Sequence, residues 1–259
     1  MSHAPSAEPR LLVENDGPLV SLTLNRPAKL NAIDPVMLQA LDDALQEIDR
    51  DPSIRVLLLL ASGERAFSVG ADIHAWAALD PLDMWRSWVR LGHRVFDRLA
   101  SLRQPTIAVI NGYAFGGGLE LALATDLRLA ADYAEFAMPE TTIGTLPGWA
   151  GTRRLPDLIG VSRAKQMILT GARLDAVTAE RWGLVNEVTP APDLRQRAAD
   201  LAHTIAANAP VAVQLAKAVI DGAPPTLEAI AGALAATTAD GREGPAAFRA
   251  KRPPTFEGH

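Results

Sequence analysis

Residues 111–155 read NGYAFGGGLELALATDLRLAADYAEFAMPETTIGTLPGWAGTRRL, and the order of strand, turn and helix signals along them decides the fold class. Just ahead of them, Pro105 to Ile110 is short and apolar, the pattern of a strand. Gly112 to Gly118 forms a glycine-rich turn, a helix is expected over 118–125, and further strands at about 127–130 and 134–137. Strands alternating with helices at this spacing imply βα crossovers and parallel sheet, so the chain reads as α/β. Three consecutive glycines, Gly116 to Gly118, let a ligand approach the backbone closely. The helix that begins there points unpaired N–H groups and its positive dipole end into the turn, a device that can stabilise an oxyanion. The same glycines would equally serve a turn needed only for tight packing.

Two acids stand out in this stretch. Glu120 lies among Leu119, Leu121, Ala122, Leu123 and Ala124. Its carboxylate either faces solvent on the first helical turn, where acids are favoured, or is held in an apolar pocket. Glu140 follows a strand in Met138-Pro139-Glu140-Thr141-Thr142, ahead of Gly144-Thr145-Leu146-Pro147-Gly148, and taken singly it reads as a surface loop acid.

Outward from this centre, Leu11 to Val13 and Leu19 to Leu24 flank Asp16-Gly17-Pro18, a hairpin signal. Asp34-Pro35 supplies an N-cap and a first-turn proline, and Met37, Leu38, Leu41, Leu45 and Ile48 recur at helical spacing, predicting a helix from 35 to about 50. Ile54 to Leu60 reads as a strand buried on both faces. A long helix is expected around 82–102, with Trp85, Val89, Phe96, Leu99 and Leu102 on one stripe. Beyond Pro190-Ala191-Pro192 the composition turns Ala-rich, with helices at 193–208, 210–221 and 226–240 and no strand between them. The expected division is therefore a body over 1–192 and a helical region over 193–259 that packs elsewhere, for instance on a neighbouring subunit.

Composition excludes several classes. The 259 residues carry 25 Lys plus Arg against 30 Asp plus Glu, a net charge of −5 that argues against nucleic acid as a partner. No cysteine is present, so a disulfide scaffold, a Cys-ligated zinc and a thiol nucleophile are ruled out, and a reducing compartment suits the chain. The five histidines show no ligand spacing, so no metal site is expected. Phe67-Ser68-Val69-Gly70 lacks the leading glycine of a nucleophile elbow, and neither glycine cluster fits a dinucleotide or phosphate-loop fingerprint. MSHAPSAEPR has no signal-peptide pattern, and the most apolar stretch, Thr106 to Ala124, is broken by Asn111, glycines and Glu120. A soluble protein of the cytoplasm, with no membrane partner, is the expectation.

Taken together, the motifs are more specific than any one of them. The stretch 111–155 closely resembles the signature region of the crotonase (enoyl-CoA hydratase/isomerase) family, and Ala66-Phe67-Ser68-Val69-Gly70-Ala71-Asp72-Ile73 resembles that family's first oxyanion-hole loop. Leu169-Thr170-Gly171, Gly183-Leu184-Val185 and the ending GPAAFRAKRPPTF, 244–256, resemble further family landmarks, so the likeness covers nearly the whole chain beyond residue 10. It implies a crotonase-type spiral of ββα turns with a C-terminal helical trimerisation region, two trimers often pairing into a hexamer. It implies an acyl-CoA substrate, with coenzyme A part of that substrate and no separate cofactor.

By the same resemblance the backbone N–H groups of Ala71 and Gly117 form the oxyanion hole, Glu120 holds and activates a water, Glu140 transfers a proton at C2, and Gly148 helps position the water. Lys29, Ala71, Asp72, Ile73 and Trp149 border the substrate or its CoA portion, and Phe248 and Lys251 reach it from an adjacent subunit. Trp76, Trp85 and Trp88 lie on the segment that covers the acyl pocket in the family. His74 stands where hydratases of the family often have lysine, and Trp149 stands where they usually have a smaller residue. Having both glutamates points to a lyase of the EC 4.2.1 class, hydrating a 2-enoyl-CoA to a 3-hydroxyacyl-CoA or running the reverse dehydration. The alternatives are a double-bond isomerase or CoA-thioester lyase of the family and, from another class, a non-catalytic binding protein.

Overall fold

In the computed structural model, which describes residues 8–222 and 224–259, the expected antiparallel hairpin is made by β1 (Leu11–Asp16) and β2 (Leu19–Leu24). α1 (Pro35–Arg50) starts where its cap predicts: the Asp34 carboxylate accepts from the Met37 N–H at 2.8 Å, with Pro35 in the first turn. Three strand pairs then repeat one plan, β3 (Val56–Ala61) with β4 (Ala66–Ser68), β5 (Thr106–Ile110) with β6 (Tyr113–Phe115), and β7 (Leu127–Ala131) with β8 (Glu135–Ala137). The first strand of each pair joins one sheet, the second joins another, and a helical segment follows.

After β4 come α2 (Ile73–Trp76), α3 (Pro81–Asp83), a π-helical stretch over Met84–Val89 and α4 (Arg90–Ala100). α5 (Gly117–Leu123) follows β6, and a 3₁₀ turn at Glu140–Ile143, α6 (Gly151–Ile159) and α7 (Val161–Thr170) follow β8. β9 (Leu174–Asp175), α8 (Ala176–Trp182) and β10 (Glu187–Thr189) complete the sheets. The larger sheet has the order β1-β2-β3-β5-β7-β10 and is parallel from β2 onward; the smaller has the order β4-β6-β8-β9 and is parallel apart from β9. Of the smaller sheet, only β8 was legible in the sequence, at the expected 134–137. Its strands have only two or three residues, too few to display a period, and β6 lies inside what reads as a single glycine turn.

Side-chain alternation divides the interior into two cores. Along β3, Leu57, Leu59 and Ala61 join Leu38, Leu41 and Phe96, whereas Val56, Leu58 and Leu60 face the opposite way onto Leu194, Ala198 and Ala202. Those last residues belong to α9 (Leu194–Ala206), which covers the outer face of the larger sheet. The break at Pro190–Pro192 thus ends the strands, yet the first helix beyond it packs on the same chain's sheet. α10 (Pro210–Ile220) is tied to the body by Lys217, whose Nζ donates to Asp126 Oδ2 at 2.8 Å; α11 (Pro225–Thr237) and α12 (Ala239–Ala250) follow it. The last residues fold back, with Asp240 accepting from the Glu257 and Gly258 N–H groups and Arg55 donating to the carbonyls of Ala206 and Phe256.

One stripe differs from expectation. Phe96, Leu99 and Leu102 are buried, but Trp85 is exposed and Trp88 is buried instead. The π-helical turn carries an extra residue per turn and so rotates the residues before it out of the phase that an unbroken α-helix would keep. Among the described residues no helix is long and apolar enough to cross a membrane.

Candidate active site

The helix-opening glycines, the loop after β4 and the loop after β8 meet at a cavity of about 580 Å³, lined by Ala71, Gly117, Glu120, Glu140, Gly148 and Trp149 among others. α5 begins at Gly117, directly after Gly116 with φ 50°, a conformation that an L side chain rarely adopts. As the first helical residue, Gly117 has no carbonyl a turn earlier to bond. A Cβ at Gly117 would stand 3.3 Å from the Ala71 nitrogen and one at Gly70 2.9 Å from the Gly117 nitrogen, so the backbones that carry the two amides are in contact. A Cβ at Gly118 would meet the Ser68 carbonyl oxygen at 2.2 Å, and one at Gly70 the Phe115 carbonyl oxygen at 2.8 Å. Both functions considered for the glycines are therefore served: close packing of α5 on the β4 loop, and an open backbone at the cavity.

Glu120 is 2% exposed. Its Oε1 accepts from the N–H groups of Trp149 and Gly151, both at 2.7 Å. Between these donors Ala150 takes φ 77°, ψ 14°, and a left-handed residue at that point makes amides two apart converge on one anion. A buried alanine held there costs of order 1 kcal/mol or more, a cost typical of functional sites. Burial pushes the Glu120 carboxyl up to about 7, the amides of Gly151 and Trp149 oppose the rise, and the charge of Glu140 adds to it. Of the two environments open to Glu120 from sequence, the apolar pocket is the one it occupies.

Glu140 opens the 3₁₀ turn after β8, and its Oε1 lies so near Gly116 that a Cβ there would approach it to 2.8 Å. Its buried Oε2 has no hydrogen-bond partner among the described residues, and burial raises its carboxyl above the ordinary glutamate range. It is not a surface loop acid. Two carboxyls with raised affinities for a proton thus border the same space as two backbone amides. Such a set can polarise a carbonyl while moving a proton to and from a neighbouring carbon.

Trp149 closes one side of the cavity. Its indole is 2% exposed and packs on Trp88 and Phe96 at centroid distances of 5.2 and 5.1 Å. One ring edge would stand 2.6 Å from a Cβ at Gly117, and the opposite edge, with Nε1, 2.0 Å from a Cβ at Gly92 in α4. The indole therefore spans from the α5 opening to a glycine notch in α4, both packing in the core and lining the cavity.

Ile73, Trp76 and Trp88 also line the cavity, whereas Trp85, Lys29, Asp72, Phe248 and Lys251 do not. Asp72 turns its carboxylate to Arg26 at 2.9 Å. Lys29 is exposed at the end of the 27–29 turn; Phe248, 85% exposed, and Lys251 lie on and just after α12. The sequence reading missed Met84 and His93 of the wall, and Gly92, which lies behind it against the Trp149 ring. A glycine at a buried position of an otherwise amphipathic helix was the one available signal.

A sequence profile of the family described as "Enoyl-CoA hydratase/isomerase" matches residues 14–259. The chain is 39% identical over 211 residues to the short-chain-enoyl-CoA hydratase of Clostridium acetobutylicum, covering 82% of this chain and 80% of the relative. It is 36% identical over 253 residues to the crotonyl-CoA hydratase of Syntrophomonas wolfei, covering 95% and 97%. The crystal structure of enoyl-CoA hydratase from Bacillus anthracis superposes with a TM-score of 0.93 at 38% identity, covering 96% of this chain and all (100%) of that one. Paired ββα turns, a glycine-opened helix that carries one glutamate to a cavity bordered by a second, and likeness along the whole chain lead to one assignment: the protein belongs to the enoyl-CoA hydratase/isomerase family.

Proposed function

We propose that the protein hydrates a short 2-enoyl-CoA to the 3-hydroxyacyl-CoA, or runs the reverse dehydration. The observation that carries this reading is the pair of buried Glu120 and partly buried Glu140 on one cavity, both with raised carboxyls, beside the amides of Ala71 and Gly117. The two amides donate to the thioester oxygen and draw electron density from the α,β double bond, leaving C3 electrophilic; each fixed donor is worth about 10²–10³-fold. Glu120, oriented by the Trp149 and Gly151 amides, takes a proton from the water as its oxygen bonds C3. The resulting enolate collapses as protonated Glu140 gives its proton to C2, and the proton taken up by Glu120 then returns to Glu140, so that the elements of one water are added across the double bond. Gly148 faces the cavity with nothing within 4 Å of where its Cβ would stand, leaving its backbone accessible to that water.

Lys29 and Ile73 are proposed to border the CoA portion on one subunit, and Phe248 and Lys251 to reach it from the next, while the carboxylate of Asp72 is taken up by Arg26 and the His74 N–H. That second contribution requires a trimer or hexamer. Support for assembly comes from α11, where Leu227, Ile230 and Leu234 expose 40%, 62% and 50% at helical spacing, an apolar stripe left largely open among the described residues. A cysteine-free chain suits the reducing cytoplasm, where we place the reaction.

The test is incubation with crotonyl-CoA, following loss of the enone absorbance and identifying 3-hydroxybutyryl-CoA by mass spectrometry, with a 3-enoyl-CoA in parallel. Hydration of crotonyl-CoA without conversion of the 3-enoyl isomer is expected. Failure to hydrate any 2-enoyl-CoA in a panel of acyl groups would overturn the reading.

A further inference from the structure

On the hydratase reading above, the Ala71 N–H must keep its direction while the thioester oxygen beside it gains negative charge. A single parallel bridge between Ile33 and Ala71 sets that direction. The Ile33 N–H donates to the Gly70 carbonyl and the Asp72 N–H donates to the Ile33 carbonyl, both at 2.8 Å. Ile33 thus bonds the two residues flanking Ala71, which leaves the N–H and C=O of Ala71 itself on the opposite side. That side is the cavity, where the Ala71 nitrogen lies against Gly117. Two hydrogen bonds alone are a weak anchor for a donor that has to be held within about half an ångström.

Arg26 braces both strands of the bridge. Its Nη1 donates to the Ala32 carbonyl at 2.8 Å and to Asp72 Oδ2 at 2.9 Å, and lies 3.5 Å from Asp34 Oδ2. One nitrogen therefore reaches the residue before Ile33, the residue after Ile33 and the residue after Ala71. The side chains of Arg26, Asp34 and Asp72 are only 12%, 12% and 15% exposed, so solvent screens these contacts less than it does a surface pair. Arg26 is itself held, because its N–H donates to Oδ1 of fully buried Asn31, whose Nδ2 donates to the carbonyls of Ser62 and Ala66. The other oxygen of Asp72 accepts from the His74 N–H at 3.1 Å and caps α2. Neither Arg26 nor Asp72 lines the cavity.

We infer that Arg26 is a positioning residue for the oxyanion site: acting through Asp72, it fixes the Ala71 amide toward the thioester oxygen without touching the substrate. Arg26→Lys keeps the charge but not the planar fork, and Asp72→Asn keeps volume and the capping oxygen while removing the ion pair. Both are made in the full chain, checked for folding by circular dichroism, and assayed with crotonyl-CoA. Infrared spectra of bound [1-¹³C]butyryl-CoA, a saturated and unreactive thioester, report polarisation of the carbonyl.

The wild-type protein is measured first. Absence of turnover and of a lowered carbonyl frequency there would refute the hydratase reading, before Arg26 is at issue. With that in hand, each variant should lose about 10–100-fold in kcat, the effect of a displaced oxyanion donor. KM should change by no more than about threefold, because the hydrogen bond to the neutral carbonyl is far weaker than the one to the oxyanion and contributes little to binding. The bound carbonyl band should move back toward its position in water, and the double variant should be no slower than the slower single one. A lowered melting temperature with unchanged kcat and unchanged carbonyl band would overturn the proposal and leave Arg26 a structural brace. Asp72→Asn decides the matter by itself if Arg26→Lys does not fold.

Discussion

Burial holds the Glu120 carboxyl near 7 against the pull of two amides, and this links its proton to folding. A carboxyl raised in the folded state binds a proton more readily there than in the unfolded chain. Its contribution to stability is therefore complete below the ordinary value of 4.5 and is lost as pH rises through about 7. From 4.5 to about 7 the loss is on the order of 3 kcal/mol. Glu120→Gln removes this titration, so calorimetry should find its melting temperature gaining on the wild type between about pH 5 and 8. Parallel curves for the two proteins would contradict a buried, ionisable Glu120. In kinetics, Glu120→Gln and Glu140→Gln should each lower kcat by about 10²–10⁴-fold while leaving CoA affinity, measured by calorimetric titration, little changed. In a Trp149→Ala background, where the ring edge 2.6 Å from the new methyl is gone, Gly117→Ala should depress turnover of short and longer enoyl-CoA by the same factor, about 10²-fold or more, since the carbonyl contact is common to all acyl groups. A loss confined to one chain length would move Gly117 from the oxyanion site to the acyl pocket.

Between elements, the tightest fit is the indole of Trp149 in the Gly92 notch of α4. A methyl group at Gly92 would stand 2.0 Å from Nε1, which forces either the ring or the helix to shift. Gly92→Ala should cost about 1–3 kcal/mol by overpacking, read from the urea midpoint. In a Trp149→Ala background the same change should be neutral or stabilising, because alanine is the better helix former once the ring is gone. Additive effects would mean that the two side chains do not share the notch. Trp149 fills volume beside Glu120, Gly117 and Trp88, favouring compact or flat acyl groups. Trp149→Ala should therefore raise kcat/KM for a medium-chain enoyl-CoA relative to crotonyl-CoA by at least ~10-fold, given about 1–3 kcal/mol per methylene in an apolar pocket. The ratio on one preparation is the proper measure, since truncation also costs a few kcal/mol of stability. An unchanged chain-length profile in the folded variant would place the indole outside the pocket.

At the scale of the whole molecule, the helices after β10 serve two purposes. α9 seals the larger sheet, while the α11 stripe of Leu227, Ile230 and Leu234 and the 85% exposed Phe248 face outward. Sedimentation should find a trimer or hexamer. Ile230→Glu combined with Leu234→Glu should dissociate it while leaving the far-ultraviolet spectrum intact, as both residues are at least half exposed within one chain. A wild-type protein that sediments as an active monomer would defeat the assembly proposal, and with it the placement of Phe248 and Lys251 at a neighbour's substrate.

The sequence by itself determined what local chemistry encodes. The Asp34-Pro35 cap with the helix behind it, the apolar runs that form β2, β3 and β5, and the helical tail are each written in the local sequence. The pairing of Glu120 with Glu140 was legible only through the joint pattern of 111–155, since each acid alone had an ordinary surface explanation. Only the tertiary structure decided the rest. The smaller sheet exists because strands of two or three residues find partners from distant turns, and apart from β8 nothing local marks them. The raised carboxyls arise from burial, which depends on what the rest of the chain places around them. The Gly92 notch and the Arg26 brace join residues 57 (149 − 92) and 46 (72 − 26) positions apart, and no sequence period spans such distances. Their cause is close packing in three dimensions, which a single sequence records only as an unremarked glycine and an arginine.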